Sequence, residues 1–116
     1  MPRNLRMGGD AEDRAALFLE DLGYTLVTRN YYAPQAEIDI VAMDGDNIVF
    51  VEVKQRKSGG WDIPEQTVTL SKQRRLWEAA DYYLSEVVGN AAPARFDVIA
   101  VEGEALRHHK DAFRPA

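Results

Sequence analysis

Glu37-Ile38-Asp39 and Glu52-Val53-Lys54 place Asp39 and Glu52 inside two runs that are otherwise apolar, Ile38 to Met43 and Ile48 to Val53, with Glu37 and Lys54 just beyond their ends. Such runs read as strands covered on both faces, where charge must be compensated. Between them, Asp44-Gly45-Asp46-Asn47 is a turn cluster of the kind that closes a β-hairpin. With Gly45-Asp46 as a two-residue loop, Asp39 lies opposite Glu52 and Glu37 opposite Lys54; with Asp44-Gly45 as the loop, Glu37 faces Glu52. In either register the four charged side chains share one face, because side chains alternate along a strand. Directly opposed Cβ atoms are roughly 4.5–5.5 Å apart, and like charges so placed repel. Two carboxylates held that close share a proton or a cation, and oxygen ligands suit a hard divalent ion such as magnesium or manganese. The competing reading is an ordinary ion pair, with Lys54 neutralising one acid at a strand end.

Helices must bring further groups to this hairpin. From about Asp10 to Leu22 the residues Ala11, Ala15, Phe18, Leu19 and Leu22 recur at helical spacing, and Gly23 supplies the stop. Glu12 sits at the border of that apolar sector, either turned inward or snorkelling at its rim. Tyr24 to Arg29 reads as a first strand and Asn30 to Ala36 as a loop. A mobile loop is expected over about residues 55–66, with Gly59-Gly60, Pro64 and a Trp61 that either stacks on a base or folds back on the core. A second helix is expected from Ser71, as N-cap, to Val88, burying Leu76, Ala79 or Ala80, Tyr83 and Val87. Lys72 lies on the same stripe, four residues before Leu76. Arg95 to Val101 then forms a strand reached by a helical crossover and hence parallel to that of Glu52. Asp97 within it has no assigned role beyond a partner such as Arg95, and His108-His109 reads as a surface pair with its rings on opposite faces.

At 116 residues and 46% hydrophobic the chain supports a single domain, residues 1–116, with about eight flexible residues at its start. It has no cysteine, so disulfides, thiolate metal sites and a cysteine nucleophile are excluded. The opening residues lack an apolar stretch, and the expectation is a cytoplasmic protein, neither exported nor embedded in a membrane. A net charge of −5 argues against indiscriminate nucleic-acid binding. Local clusters matter more: Lys54, Arg56 and Lys57 follow the acidic pair, and Lys72, Arg74 and Arg75 open the second helix. Solvated surface charge is the plainer reading of both. Three basic residues in a first helical turn oppose the helix dipole, and an arriving phosphate would reverse that sign.

Glu12 on a helix, Glu37-x-Asp39 and Glu52-x-Lys54 on successive strands, and Lys72 on the next helix make an ordered set that resembles the PD-(D/E)XK nuclease superfamily. Gly9-Asp-Ala-Glu-Asp-Arg-Ala15, Gly23-Tyr24, Arg29-Asn30-Tyr31, Glu37-Ile-Asp-Ile-Val41, Phe50-Val-Glu-Val-Lys54, Lys72-x-x-Arg75 and Arg95-Phe-Asp-Val98 are similar to the YraN-type family of small bacterial proteins. The likeness spans roughly residues 8–113, and the family is grouped by similarity with archaeal Holliday-junction resolvases and type II restriction endonucleases. It implies an α/β fold, a mixed central sheet flanked by helices in a restriction-endonuclease-like αβββαβ order. It further implies that Asp39 and Glu52 ligate magnesium with the Val53 carbonyl, that Lys54 positions water or stabilises charge at phosphorus, and that Glu12 is a further acid at the metal. Glu37 would be a ligand or a partner of one. The superfamily's proline before the acid is Ile38 here, and the family's glycine before Glu-Ile-Asp is Ala36, which restricts close approach of a substrate backbone.

The expected function is magnesium- or manganese-dependent hydrolysis of DNA phosphodiesters, with branched DNA favoured by the resemblance. Lys54, Arg56, Lys57, Lys72 and Arg75 would contact the nucleic acid, and a resolvase would work as a homodimer to cut both strands. The alternative is a non-catalytic module that binds nucleic acid or a protein partner on the same fold. A plain scaffold with an ion-paired hairpin is the third reading, in which neither metal nor DNA raises the melting temperature.

Overall fold

The order of elements follows from where the chain can bury apolar faces. A computed structural model describes residues 10–56 and 68–115. The start of the chain, Lys57, Trp61 and the rest of the expected loop to residue 66 lie outside the described residues, whereas Gln55 and Arg56 belong to a strand.

Helix α1 (Asp10–Asp21) is closed by Gly23, whose φ of 96° is left-handed. Gly23 N–H donates to the Glu20 carbonyl and Tyr24 N–H to that of Leu19, the paired bonds of a Schellman ending. Strands β1 (Thr25–Tyr32), β2 (Glu37–Asp44) and β3 (Asn47–Arg56) form an antiparallel meander. The segment expected as a loop from Asn30 thus continues as strand to Tyr32. Asp44 pairs with Asn47 around Gly45 (φ 61°), which settles the register in favour of the Gly45-Asp46 loop. A positive φ at the first loop position only is the II′ form, which suits glycine there.

Helix α2 (Leu70–Tyr83) follows, and its N-cap is Thr69, not Ser71: the Thr69 hydroxyl accepts the Lys72 N–H at 3.1 Å. Its last turn relaxes to a π-helical segment, Leu84–Val88, closed by the Gly89 N–H on the Leu84 carbonyl. Two residues expected in the buried stripes are half exposed: Leu22 lies beyond α1, and Val87 lies in the π segment. The crossover delivers β4 (Ala94–Glu102) parallel to β3, and an unanticipated strand β5 (Ala105–Phe113) returns antiparallel to β4. The mixed sheet has the order β1-β2-β3-β4-β5.

Each helix covers one face. Ala11, Ala15, Ala16 and Leu19 of α1 pack on Ile40, Ala42, Val49, Val51 and Ile99. Leu76, Ala79, Ala80 and Tyr83 of α2 pack on Ile38, Val41, Phe50, Phe96 and Val98. A mixed α/β sheet covered on both sides is compatible with a restriction-endonuclease-like core. No helix among the described residues is long and apolar enough to cross a membrane.

Candidate functional site

The hairpin opens where its charges begin. Its backbone pairing runs from Asp44–Asn47 to Ile40–Val51, and one step further Asp39 reaches the level of Glu52. There the Asp39 carboxylate takes over from a backbone carbonyl, accepting the Val53 N–H at 2.8 Å. Strand β3 meanwhile stays paired with β4 as far as Arg56–Glu102. The carboxylate of Asp39 therefore sits in the opening between two central strands.

Glu52, four residues along β3 from Ile48 on the α2 side, is almost fully buried. Its Oε2 accepts a hydrogen bond from Lys72 Nζ at 2.8 Å, and the lysine itself is 38% exposed. Helical spacing had put Lys72 on the inward stripe, and this contact is the reason it can be there. The cation that compensates the hairpin is thus Lys72, not Lys54. Among the described residues Lys54 has no carboxylate within ion-pair distance; it is half-buried and shares the strand face of Glu52 by alternation.

Glu12 does turn inward. With Ala11, Asp39, Val53 and Gln55 it lines an open cavity of about 210 Å³. Arg29 Nη2 donates to Glu12 Oε1 at 3.1 Å and to Asp13 Oδ1 at 2.9 Å. Asn30 Nδ2 donates to Glu12 Oε2 at 3.2 Å and to Glu37 Oε2 at 2.8 Å. Glu37 is exposed at the rim. At Asp39, burial and then the charge of Glu52 push the pKa up to about 7, against the pull of the Val53 N–H. The charges of Glu12 and Glu37 add to the rise.

A carboxylate that resists ionisation at neutral pH is a place where a cation is welcome. Among the described residues no three acids or imidazoles converge as a complete cage. Asp39 and Glu52 are two, and Val53, the residue after Glu52, could add its backbone oxygen. Magnesium takes few protein ligands, typically one or two carboxylates, and keeps water and substrate phosphate for the rest. The donor set fits that habit better than it fits an ion that demands an all-protein shell.

The raised pKa has a sign for stability. The folded protein holds the Asp39 proton more tightly than the unfolded chain, whose ordinary value is 3.8. This contribution is fully present below about pH 4 and is lost as pH rises through 7. A divalent ion bound at the site is expected to replace what the proton supplied. Manganese should therefore raise the melting temperature more at pH 8 than at pH 5, read by calorimetry at both pH values; an equal shift at both would contradict the assignment to Asp39.

The basic groups are spread over two elements. Arg75 is exposed and donates to the Ser71 hydroxyl at 2.8 Å, and Arg74 is exposed one residue before it. Arg56 closes β3. The first two turns of α2 thus present Lys72 inward to Glu52 and the two arginines outward.

Asp97 takes the partner the sequence offers, Arg95, and gains others, whereas His108 corrects the reading as a surface residue. Asp97 is fully buried and accepts hydrogen bonds from Arg95 Nε at 2.9 Å, His108 Nε2 at 2.8 Å and the Asp111 N–H at 3.0 Å. His108 is inward and packs edge-on against Phe18 and Tyr24, so it is no surface residue. Burial alone would raise the Asp97 pKa; the bonds from His108, Arg95 and Asp111 outweigh it and leave the group below its ordinary value. Arg95 also reaches the Tyr24 hydroxyl at 2.8 Å and Asp44 at 3.2 Å, tying the far end of the hairpin to β4.

Sequence comparison places this geometry in a lineage. The model of the Uncharacterised protein family UPF0102 matches residues 11–101. A UPF0102 protein of Syntrophus aciditrophicus is 43% identical over all of this chain and 94% of its own length. One from Desulfosudis oleivorans is 42% identical over 90% of this chain and 89% of its own, and one from Rhodococcus opacus 38% identical over 97% and 100%. The matched span holds Glu12, Asp39, Glu52, Lys54 and Lys72 together with the strands that carry them. The chain belongs to the UPF0102 family, the YraN-type family that its motifs resemble.

Proposed function

We propose that this protein is a divalent-metal-dependent phosphodiesterase acting on DNA, with branched DNA favoured by the likeness to resolvases. The observation that carries the reading is Asp39: a carboxylate in a strand opening, driven toward neutrality by burial and then by the charge of Glu52, beside a cavity that Glu12 also lines. Asp39 and Glu52 would hold the ion with the Val53 carbonyl. A magnesium or manganese ion so held supplies Lewis-acid polarisation of a phosphoryl oxygen and eases deprotonation of an attacking water.

The side chains of the protein account for the remaining requirements. Lys54, on the strand face of Glu52, supplies fixed positive charge where charge grows on the phosphate. Arg29 and Asn30 hold Glu12 at the cavity, within reach of a water that needs a hydrogen-bond acceptor. Arg74, Arg75 and Lys72, at the amino-terminal end of α2, offer phosphate contacts where free N–H groups also point. Symmetric cutting of a four-way substrate requires two copies.

Lys72 is placed to contribute to affinity, not to sequence choice. Lys72→Ala is expected to weaken DNA binding about equally across sequences and to lower the slope of log affinity against log salt by about one. A titration from low to moderate salt reads this directly, and an unchanged slope counts against a phosphate role for Lys72.

A second reading is favoured by one observation, the Lys72–Glu52 pair, which already neutralises the more buried acid. On that reading the fold binds nucleic acid or a partner without cleaving it. Incubating the protein with four-way, flapped and linear DNA in magnesium or manganese separates the two: cleavage that disappears in Glu52→Ala supports the first, and binding without cleavage supports the second.

A further inference from the structure

Asn30 combines a backbone shape and a side-chain contact that few residues can supply together. Its φ of 54° is left-handed, a region that asparagine enters more readily than almost any side chain except the absent one of glycine. Its neighbours Arg29 and Tyr31 pair with Ile40 and Ile38. Residues two apart on a strand ordinarily share a face. Here Ile40 packs beneath α1, whereas Tyr31 and Ile38 pack beneath α2. The β1–β2 pair therefore turns over between those levels, at Asn30 and, across from it, Asp39.

The same turn brings the Asn30 amide to two acids from different elements, Glu12 of α1 and Glu37 of β2. Both acceptors are carboxylate oxygens, so the –NH2 group must be the one that faces them, and its two hydrogens suffice for both. Glu12 is further gripped by Arg29, whereas the Asn30 amide links it to Glu37.

From these contacts we infer that Asn30 is the positioning residue of the acidic site: its left-handed backbone frees Asp39 from the β1–β2 ladder, and its amide clamps Glu12 and Glu37 on either side. Resting on the reading that Asp39 and Glu52 take a divalent ion, this assigns to Asn30 the orientation of the two further acids, Glu12 and Glu37, that flank the ion's ligands. Groups that orient the acids of a metal site typically matter about ten- to a hundredfold in metal affinity.

Asn30→Gly separates the two contributions, since glycine keeps the left-handed backbone and removes only the amide. The variant is expected to melt within a few degrees of the wild type and to bind manganese about ten- to a hundredfold more weakly by calorimetry. Asn30→Ala, which also strains the backbone, should lose stability as well. In the metal-free protein the Asn30 side-chain amide signals in an NMR spectrum should move in both Glu12→Gln and Glu37→Gln. Manganese binding by Asn30→Gly as tight as that of the wild type, or amide signals unmoved by either substitution, would overturn the assignment. Should the wild type bind no manganese, the metal reading falls, and the NMR result alone decides whether the clamp exists.

Discussion

Glu52→Ala is expected to lose metal-dependent DNA cleavage by at least about a hundredfold while keeping its affinity for DNA. Removing a group that stabilises developing charge in a preorganised site costs about that much or more. The two effects part because of Lys72. In the wild type its ammonium donates to Glu52 at 2.8 Å while staying 38% exposed, so a phosphate can reach it with or without that carboxylate. Since Lys72 is partly exposed, water can solvate it, and the fold should tolerate the change. Cleavage rates with matched DNA-binding titrations read both numbers. A variant that still cleaves in a metal-dependent manner would refute the role of Glu52, and one that loses binding and cleavage together would mean that Glu52 serves the fold or the interface.

Asp97→Ala carries the largest expected effect on stability, a loss of about 3–5 kcal/mol, because it breaks a buried ion pair from one side. The change leaves Arg95 Nε, the His108 imidazole and the Asp111 N–H facing a fully buried space without an acceptor, while Arg95 Nη2 keeps Tyr24 and Asp44. For a domain whose whole stability is about 5–15 kcal/mol, that is a large share. Urea unfolding followed by circular dichroism measures it, and a loss below about 1 kcal/mol would show that the network is solvated or rearranges. The pH dependence has the opposite sign to that of Asp39. Asp97 ionises more easily folded than unfolded, so its contribution is present above its ordinary pKa of 3.8 and is lost as pH falls through the lower folded value. Acid unfolding should therefore begin below about pH 4 in the wild type, and Asp97→Ala should flatten that limb.

How much of this could be read from the chain depends on how local each cause is. The hairpin was legible in Asp44-Gly45-Asp46-Asn47, but its register was not: the sequence allows either two-residue loop, and the pairing of Asp44 with Asn47 is what selects Gly45-Asp46. The parallel pairing of β4 followed from the helical crossover, and the inward direction of Lys72 from its spacing to Leu76. Its partner was not legible, because Glu52 lies 20 residues away and Lys54 was the nearer cation in sequence. Asn30 opens the stretch to Ala36 that the sequence presents as a loop, and its left-handed φ does serve a turn, but one made inside a strand. Strand β5 was missed because Arg107-His108-His109-Lys110-Asp111 is polar throughout and sits at the sheet edge, where little burial imposes an alternating pattern. Asp97 gave no sign of its importance, as its partners His108 and Asp111 arrive only when that strand folds back.

The central claim is that Asp39 and Glu52 form a common seat for a divalent ion, and manganese calorimetry without nucleic acid tests it most directly. Near neutral pH the wild type should bind one ion in the millimolar range or tighter, and Asp39→Asn, which keeps the shape and removes the charge, should bind none in that range. Equal binding by both proteins, or none by the wild type, would contradict the account.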